Sequence, residues 1–301
     1  MDLTTRLGPL ELRNPIVLAS GTAGYGRDLA EWIDLERIGA LTVKGLSLFP
    51  CPGNPPPRLH ETYAGIMNSI GLENKGLHRF LAEDLPFLEG ISTRVIVNIW
   101  GRTSTEYIRL AASLNRLSRV DAVEVNVSCP NIEKGGISYS ADRSQLVSLV
   151  EDIRRVLDKP MIVKLGPGTA ELRQSVRDLQ KADVDILSLT NTFPAVAVDL
   201  KEKKTVFPRR MAGLSGPAIK PLALWLLDEV RYSCDLPIIG MGGIMRAEDA
   251  VEFLLLGARA VGVGTATLLD PRASIRILEG LQAYIRENGL HGVDDIIGKA
   301  R

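Results

Sequence analysis

Asn126-Val127-Ser128-Cys129-Pro130-Asn131 closes an apolar, β-branched run at residues 121–127. A cysteine at the end of such a strand, between two asparagines, can act as a base or a nucleophile, with amides at hand to hold a polar ring. A free cysteine is otherwise a small buried hydrophobe, so the question is whether Cys129 works or packs. A free thiol has a pKa near ~8.5 and is only partly ionised at neutral pH. A nucleophile would want a histidine or another activating group. None is close in sequence, which favours a general base.

Two lysines lie inside apolar runs, Lys44 after Leu41-Thr42-Val43 and Lys164 after Met161-Ile162-Val163. A buried ammonium needs a partner. A flavin gaining negative charge at its N1–O2 edge would be one. A carboxylate such as Glu124, also on a strand, would be the structural alternative. Asn68, Asn98, Asn126 and Asn191 fall at strand ends or in long loops and suit a ring rich in C=O and N–H groups. Each alone is an ordinary turn residue. Gly240-Met241-Gly242-Gly243, Gly262-Val263-Gly264-Thr265 and Gly213-Leu214-Ser215-Gly216 are glycine loops that let backbone N–H groups approach a phosphate, although glycines also serve plain tight turns. Gly21-Thr22-Ala23-Gly24-Tyr25-Gly26 is a weaker loop of the same kind. His60, His78 and His291 show no metal spacing, so no metal site is expected. Tyr63 and Tyr139 lie in long loops without a distinguishing signal.

These residues need a scaffold that brings strand ends together. Apolar runs at 16–20, 40–44, 94–99, 121–127, 160–165, 184–190, 236–240 and 259–264 predict strands. Amphipathic stretches at 29–38, 76–88, 105–117, 144–157, 170–182, 217–232, 247–256 and 272–288 predict helices. The near-continuous apolar strands are those of a parallel sheet covered on both faces. Eight βα units point to one α/β domain over residues 1–301, a (β/α)8 TIM barrel, with a doubly wound open sheet as the alternative. Residues 7–15 predict a hairpin plugging the barrel's N-terminal end. Three βα connections, 45–75, 128–143 and 191–216, are long insertions. The first carries a proline-rich run at 50–57, the second Gly135-Gly136 as a hinge, and the third a hairpin around residues 201–204. All follow strands, so all fall on the face where barrels build their sites, with the loops after strands seven and eight as the usual phosphate cradle.

Composition narrows the class. Lys plus Arg number 36 and Asp plus Glu 36 in 301 residues, so no global basic field invites nucleic acid or anionic lipid. No apolar stretch reaches membrane-spanning length, and the start lacks a signal-peptide pattern, so a soluble cytoplasmic protein is expected. Three cysteines without paired spacing argue against a disulfide framework. They also cannot supply the four thiolates of an ordinary iron–sulfur cluster. The residues alone leave open a flavin-dependent reductase of another pyrimidine, a non-flavin sugar-phosphate lyase or isomerase, and a non-catalytic scaffold.

Over essentially its whole length the chain resembles class 1 dihydroorotate dehydrogenases. The resemblance rests on residues 126–131, on Asn68-Ser69-Ile70-Gly71-Leu72-Glu73-Asn74, on residues 213–221 and on residues 237–243. The last two, with residues 197–201, are most similar to type 1B catalytic subunits. The resemblance implies an FMN-binding (β/α)8 barrel, one FMN per chain, that oxidises dihydroorotate to orotate in de novo pyrimidine synthesis. By position, Cys129 matches the catalytic base. Lys44, Asn68, Ser69, Ile70, Gly71, Leu72, Asn126, Asn191 and Thr192 match substrate contacts. Ser20, Lys44, Gly45, Asn98, Asn126, Lys164, Thr190, Gly216, Gly242, Gly243, Gly264 and Thr265 match flavin contacts. The implied chemistry is proton removal from C5 by Cys129 and hydride transfer from C6 to flavin N5. Electrons would continue through a partner iron–sulfur flavoprotein, carrying FAD and a 2Fe–2S cluster, to NAD, in a heterotetramer around a homodimer; fumarate would be the acceptor in type 1A. The membrane-associated class 2, with a serine base and an N-terminal extension, is less similar. Trp100, Gly166-Pro167-Gly168 and Pro208-Arg209-Arg210-Met211 depart from the family pattern. Trp100 sits beside an implied flavin contact.

Overall fold

The computed structural model describes residues 1–128 and 139–300. Eight parallel strands close into a barrel: Ile16–Leu18, Ala40–Leu46, Arg94–Ile99, Ala122–Asn126, Met161–Leu165, Ile186–Leu189, Ile238–Met241 and Ala260–Val263. They lie in chain order, and the last pairs back onto the first through Val261 opposite Ile16. All eight expected strands are present; Arg94–Ile99 has its expected bounds and most of the others are shorter at one or both ends. The second runs on to Leu46 past a register shift between Val43 and Leu46. The open-sheet alternative is thereby excluded.

Six of the expected helices form close to their expected bounds: Ser104–Asn115, Arg143–Arg154, Leu172–Lys181, Lys220–Arg231, Ala247–Leu255 and Ala273–Glu287. The stretch 29–38 does not become an α-helix. It forms two single 3-10 turns, Leu29–Glu31 and Leu35–Arg37. Asp34 is extended and its carboxylate accepts from the Glu36 amide, so a local side-chain bond restarts the chain. The stretch 76–88 splits into Gly76–Arg79, a π-turn at Phe80–Asp84 and Leu85–Glu89. Pro86 has no N–H and crowds the carbonyl four residues back, which a widened turn relieves. A short helix at Thr265–Leu269 is not foreshadowed by the pattern. Among the described residues, no helix is long and apolar enough to cross a membrane.

The barrel interior is layered. Thr5–Leu7 and Leu10–Leu12 form the expected hairpin. Its Leu7, Leu10 and Leu12 pack with Val17, Ala40, Ile96, Ala122, Ile162, Ile186, Ile239 and Ala260, at the beginnings of the strands. Side chains alternate along a strand, so residues two further on face the same interior. Five of the eight are polar and buried, Thr42, Asn98, Glu124, Lys164 and Ser188, while strands one, seven and eight carry Ala19, Met241 and Gly262 there.

Two insertions meet over the C-terminal end. Leu59–Thr62 and Gly65–Asn68, from the first, join Ala212–Ser215 and Phe193–Ala195, from the third, in one four-stranded sheet. Met67, Phe207 and Ala212 form its small core. The expected hairpin of the third insertion is Val198–Asp199 against Lys204–Thr205. The shared sheet is not foreshadowed by either segment alone, because its central pairing joins residues 66–68 to residues 213–215. Cys129, Pro130, Asn131 and the Gly135-Gly136 hinge lie outside the described residues.

Candidate active site

The end of the fourth strand enters an amide–hydroxyl network. Asn126, nearly buried, lies opposite Lys164 in the ladder. Its Oδ1 accepts from Ser128 Oγ and from Asn191 Nδ2, both at 3.4 Å. Asn191 Nδ2 also donates to Ser128 Oγ at 3.2 Å, while Asn191 Oδ1 accepts from the Thr192 amide at 2.8 Å. The Lys164 carbonyl oxygen, 3.2 Å from Ser128 Oγ, is the alternative acceptor for its single proton. Ser128, the residue before Cys129, is thereby tied to strands four and five and to the loop after strand six. A Cβ on Gly166 would lie 2.9 Å from Ser128 Cβ and 3.6 Å from Asn191 Cβ. The glycine at 166 therefore has a steric reason, leaving room for this network, whereas a Cβ on Gly168 would meet nothing within 4 Å.

Beneath it, Asn98 Nδ2 donates to Glu124 Oε1 at 2.6 Å, and Ser188 Oγ donates to Glu124 Oε2 at 2.8 Å. Glu124 is on strand four and Ser188 on strand six, so this contact crosses the interior. Asn98 Oδ1 is buried without a hydrogen-bond partner. It faces Gly45, where a Cβ would lie 2.9 Å from it. Lys164 is 7% exposed and forms no ion pair among the described residues. The alternative of a Lys164–Glu124 pair is thus overturned: Glu124 accepts instead from Asn98 and Ser188. Lys44 also lacks an ion pair among the described residues. Burial pushes its pKa below the ordinary 10.5, with Glu73 opposing and Arg58 adding to the fall.

The loop from Asn68 to Asn74 rests on the proline-rich run. Asn54 Nδ2 donates to the Ser69 carbonyl and to Ser69 Oγ, and the Asn54 amide donates to the Ile70 carbonyl. Arg58 Nε donates to the Asn54 carbonyl at 2.6 Å, and its guanidinium pairs with Glu73. Asn74 Oδ1 accepts from the Ser47 and Gly76 amides. Leu72 holds a left-handed φ of 59°. Asn68 Nδ2 donates to the Gly213 carbonyl at 3.2 Å, placing Asn68 against the glycine strand that also abuts Thr192. Sequence reasoning passes over Asn54 and Arg58 and quotes Asn74 only as the end of the 68–74 motif. The one signal for Asn54 is its place within an irregular Pro-Gly-Asn-Pro run.

The glycine loops converge. Gly216 and Gly243 have φ of 99° and 76°, and a Cβ on Gly243 would lie 2.9 Å from the Gly216 carbonyl oxygen and 2.8 Å from Lys220 Cβ. Thr265 Oγ1 donates to Ser215 Oγ at 2.8 Å, joining the loop after strand eight to the third insertion. Gly264 precedes the short helix, Gly242 follows strand seven, and the Thr190 amide donates to the Met241 carbonyl at 2.9 Å. Ser20 follows strand one, beside Ala19, whose amide donates to the Val263 carbonyl. At Gly216, Gly242 and Gly243 a Cβ would strike Gly65, Ala223 and Lys220, so these glycines let the loops pack closely against their neighbours.

Other candidates do not join the site. Tyr63 is fully exposed. Tyr139 packs edge-on against Tyr107, whose hydroxyl donates to the Asn126 carbonyl at 2.7 Å, so it stands behind the site rather than in it. Trp100 is buried, its Cδ1 is 3.5 Å from a Cβ position on Gly45, and its Nε1 has no partner. No cluster of metal-ligating side chains occurs among the described residues. Two open depressions, of about 650 and 530 Å³, lie elsewhere, around Arg231 and Arg259 and around Arg102 and Ser148.

A closed parallel barrel whose interior turns polar at its C-terminal end, with two lysines that form no ion pair among the described residues, is the architecture of a barrel enzyme. Residues 2–285 match the family model for dihydroorotate dehydrogenase, and the chain belongs to that family. It is 47% identical over 297 residues to a protein of Pelobacter propionicus named dihydroorotate dehydrogenase B (NAD(+)), catalytic subunit, covering 99% of this chain and 98% of that protein. Proteins of the same name from Geotalea uraniireducens and Desulforamulus reducens are 46% and 43% identical over 99% and 100% of this chain, covering 97% and 99% of their own lengths. A crystal structure of DHODH from Eimeria tenella in complex with ferulenol shares the fold, with a TM-score of 0.81 at 20% identity, over 99% of this chain and 88% of that one.

Proposed function

We propose that the chain is the FMN-holding catalytic subunit of an NAD-linked dihydroorotate dehydrogenase, oxidising dihydroorotate to orotate for pyrimidine synthesis. The observation that carries this reading is a set of buried groups that only a ligand completes. Asn98 Oδ1 lacks a donor, and Lys164, itself buried, lacks an anion among the described residues, while glycine loops from three segments meet beside them. These suit a ring with N–H and C=O edges joined to a phosphate. The backbone at Gly216, Gly242, Gly243, Gly264 and Thr265 would hold the phosphate. Ser20, Gly45, Asn98, Asn126, Lys164 and Thr190 would border the ring. Bound there, FMN supplies a two-electron acceptor for the hydride that leaves C6 of the substrate.

The chain's own residues do the rest. Cys129 takes the proton from C5, so that a C5=C6 double bond forms as the hydride departs. Asn126 and Asn191 are held in one network and offer amides to the pyrimidine ring. Asn68 to Leu72, propped by Asn54, and Thr192 close the other side. Lys44 brings positive charge to the substrate carboxylate. Lys164 would border the ring with a buried cation and so favour the negative charge that a reduced flavin carries, an electrostatic contribution strengthened by low local polarity.

The protein should purify yellow and be bleached anaerobically by dihydroorotate. A colourless protein that cannot be loaded with FMN would instead point to a sugar-phosphate barrel enzyme. FMN binding without reduction by dihydroorotate would point to another pyrimidine. The electron route is tested by co-purification. A partner carrying FAD and a 2Fe–2S cluster, with NAD reduction, is expected; fumarate reduction by the isolated chain would overturn it.

A further inference from the structure

We propose that Glu124 is a positioning residue that sets which end of the Asn98 amide faces the flavin. The inference rests on the FMN reading above. Glu124 is 1% exposed, and its two oxygens accept from Asn98 Nδ2 at 2.6 Å and Ser188 Oγ at 2.8 Å. An amide can be turned over at little cost unless a neighbour distinguishes its two ends. A carboxylate does so decisively. With the amide reversed, Asn98 Oδ1 would meet Glu124 Oε1 as acceptor against acceptor. The NH2 group therefore points down to Glu124 and the carbonyl oxygen points up. That oxygen is buried, has no partner, and faces Gly45, which has no Cβ to cover it. A buried acceptor left unpaired is costly. Asn98 thus presents an acceptor to the site, complementary to an N–H of the isoalloxazine ring. Ser188 holds the far oxygen of Glu124 from strand six, so three strands cooperate in one orientation.

The same logic gives a swap that reverses donor and acceptor while keeping the charge. In Asn98→Asp two carboxylates face each other, and FMN binding to the apo-protein, followed by quenching of flavin fluorescence, should weaken at least tenfold. Adding Glu124→Gln restores one donor and one acceptor at the contact. The amide introduced on strand four donates to the carboxylate introduced on strand three, its carbonyl accepts from Ser188, and an oxygen still faces the site. The double variant should recover most of the lost affinity and the native flavin spectrum. A double variant that binds no tighter than Asn98→Asp, or an Asn98→Asp variant that binds like the native protein, overturns the proposal. If Asn98→Asp does not fold, the double variant must still fold and bind FMN. Native protein that binds no FMN would defeat the functional reading instead. The contact would then be judged by the apo-protein's melting midpoint, at least half of whose loss in Asn98→Asp the swap should restore.

Discussion

The two ends of the barrel interior are built by the same eight strands and differ in nearly everything else. At the N-terminal end, Ala40, Ile96, Ala122, Ile162 and Ile186 meet Leu7, Leu10 and Leu12 of the hairpin. Two residues further along the same strands stand Thr42, Asn98, Glu124, Lys164 and Ser188. One end removes apolar surface from water, at roughly 1.5–3 kcal/mol per large side chain. The other buries polar groups, some of which have no partner. Stability and function are thus separated along the strand axis by a single two-residue period. The apolar end offsets the cost of the polar one, and a ligand that completes the polar end should stabilise the whole chain.

The contrast is broken hardest at the polar end by Cys129→Ala. FMN should remain bound while anaerobic reduction by dihydroorotate slows about 10²–10⁴-fold, as for loss of a general base. Stopped-flow bleaching reads this, and unchanged reduction removes Cys129 from the role. Leu10→Ala attacks the apolar end. Denaturant melts should show a loss of ~2–5 kcal/mol, with the rate of flavin reduction nearly unchanged in the folded protein. A slowed reaction would mean that the two ends are not separable. Lys164→Met sharpens the comparison, because it trades a buried uncompensated cation for an apolar chain. The apo-protein should melt no lower than native, yet FMN should bind ~10–100-fold more weakly, the range for a lost charge-assisted contact. A lower apo melt would show that Lys164 has a structural partner. The smallest effect concerns Lys44, whose pKa burial holds below 10.5. Its charge should be lost at lower pH than a solvated lysine's, so KM for dihydroorotate should rise with pH from below 10.5. The unfolded chain binds more protons between the depressed pKa and 10.5, so this group's contribution to stability increases with pH there. A KM flat up to pH 10.5 would remove Lys44 from carboxylate binding.

Much of this is legible in the residues. The eight strands are apolar, β-branched runs bounded by turn residues, and they register as strands whatever surrounds them. The stretch 29–38 misleads because a moderate amphipathic period competes with Asp34, whose side chain captures a backbone amide locally. The glycine loops are legible because they follow strands seven and eight, where this fold usually holds phosphate. Lys164 and Glu124 are legible as buried charges but not as unpaired with each other, because Glu124 bonds Asn98, opposite it in the ladder, and Ser188, across the interior. Asn54 carries almost no signal. Its bonds to Ser69 and Ile70 bridge a long irregular stretch of chain that no local pattern spans.

By itself the sequence determined the strands, the barrel, the hairpin and the set of amides, lysines and glycines available for chemistry. Those follow from side-chain type and local periodicity, which act over a few residues. Only the tertiary structure decided which groups are satisfied by protein and which await a ligand. That depends on contacts between strands far apart in the chain, such as Glu124 with Ser188 and Gly216 with Gly243. Closing the barrel brings such groups within hydrogen-bonding distance and excludes water from those left over.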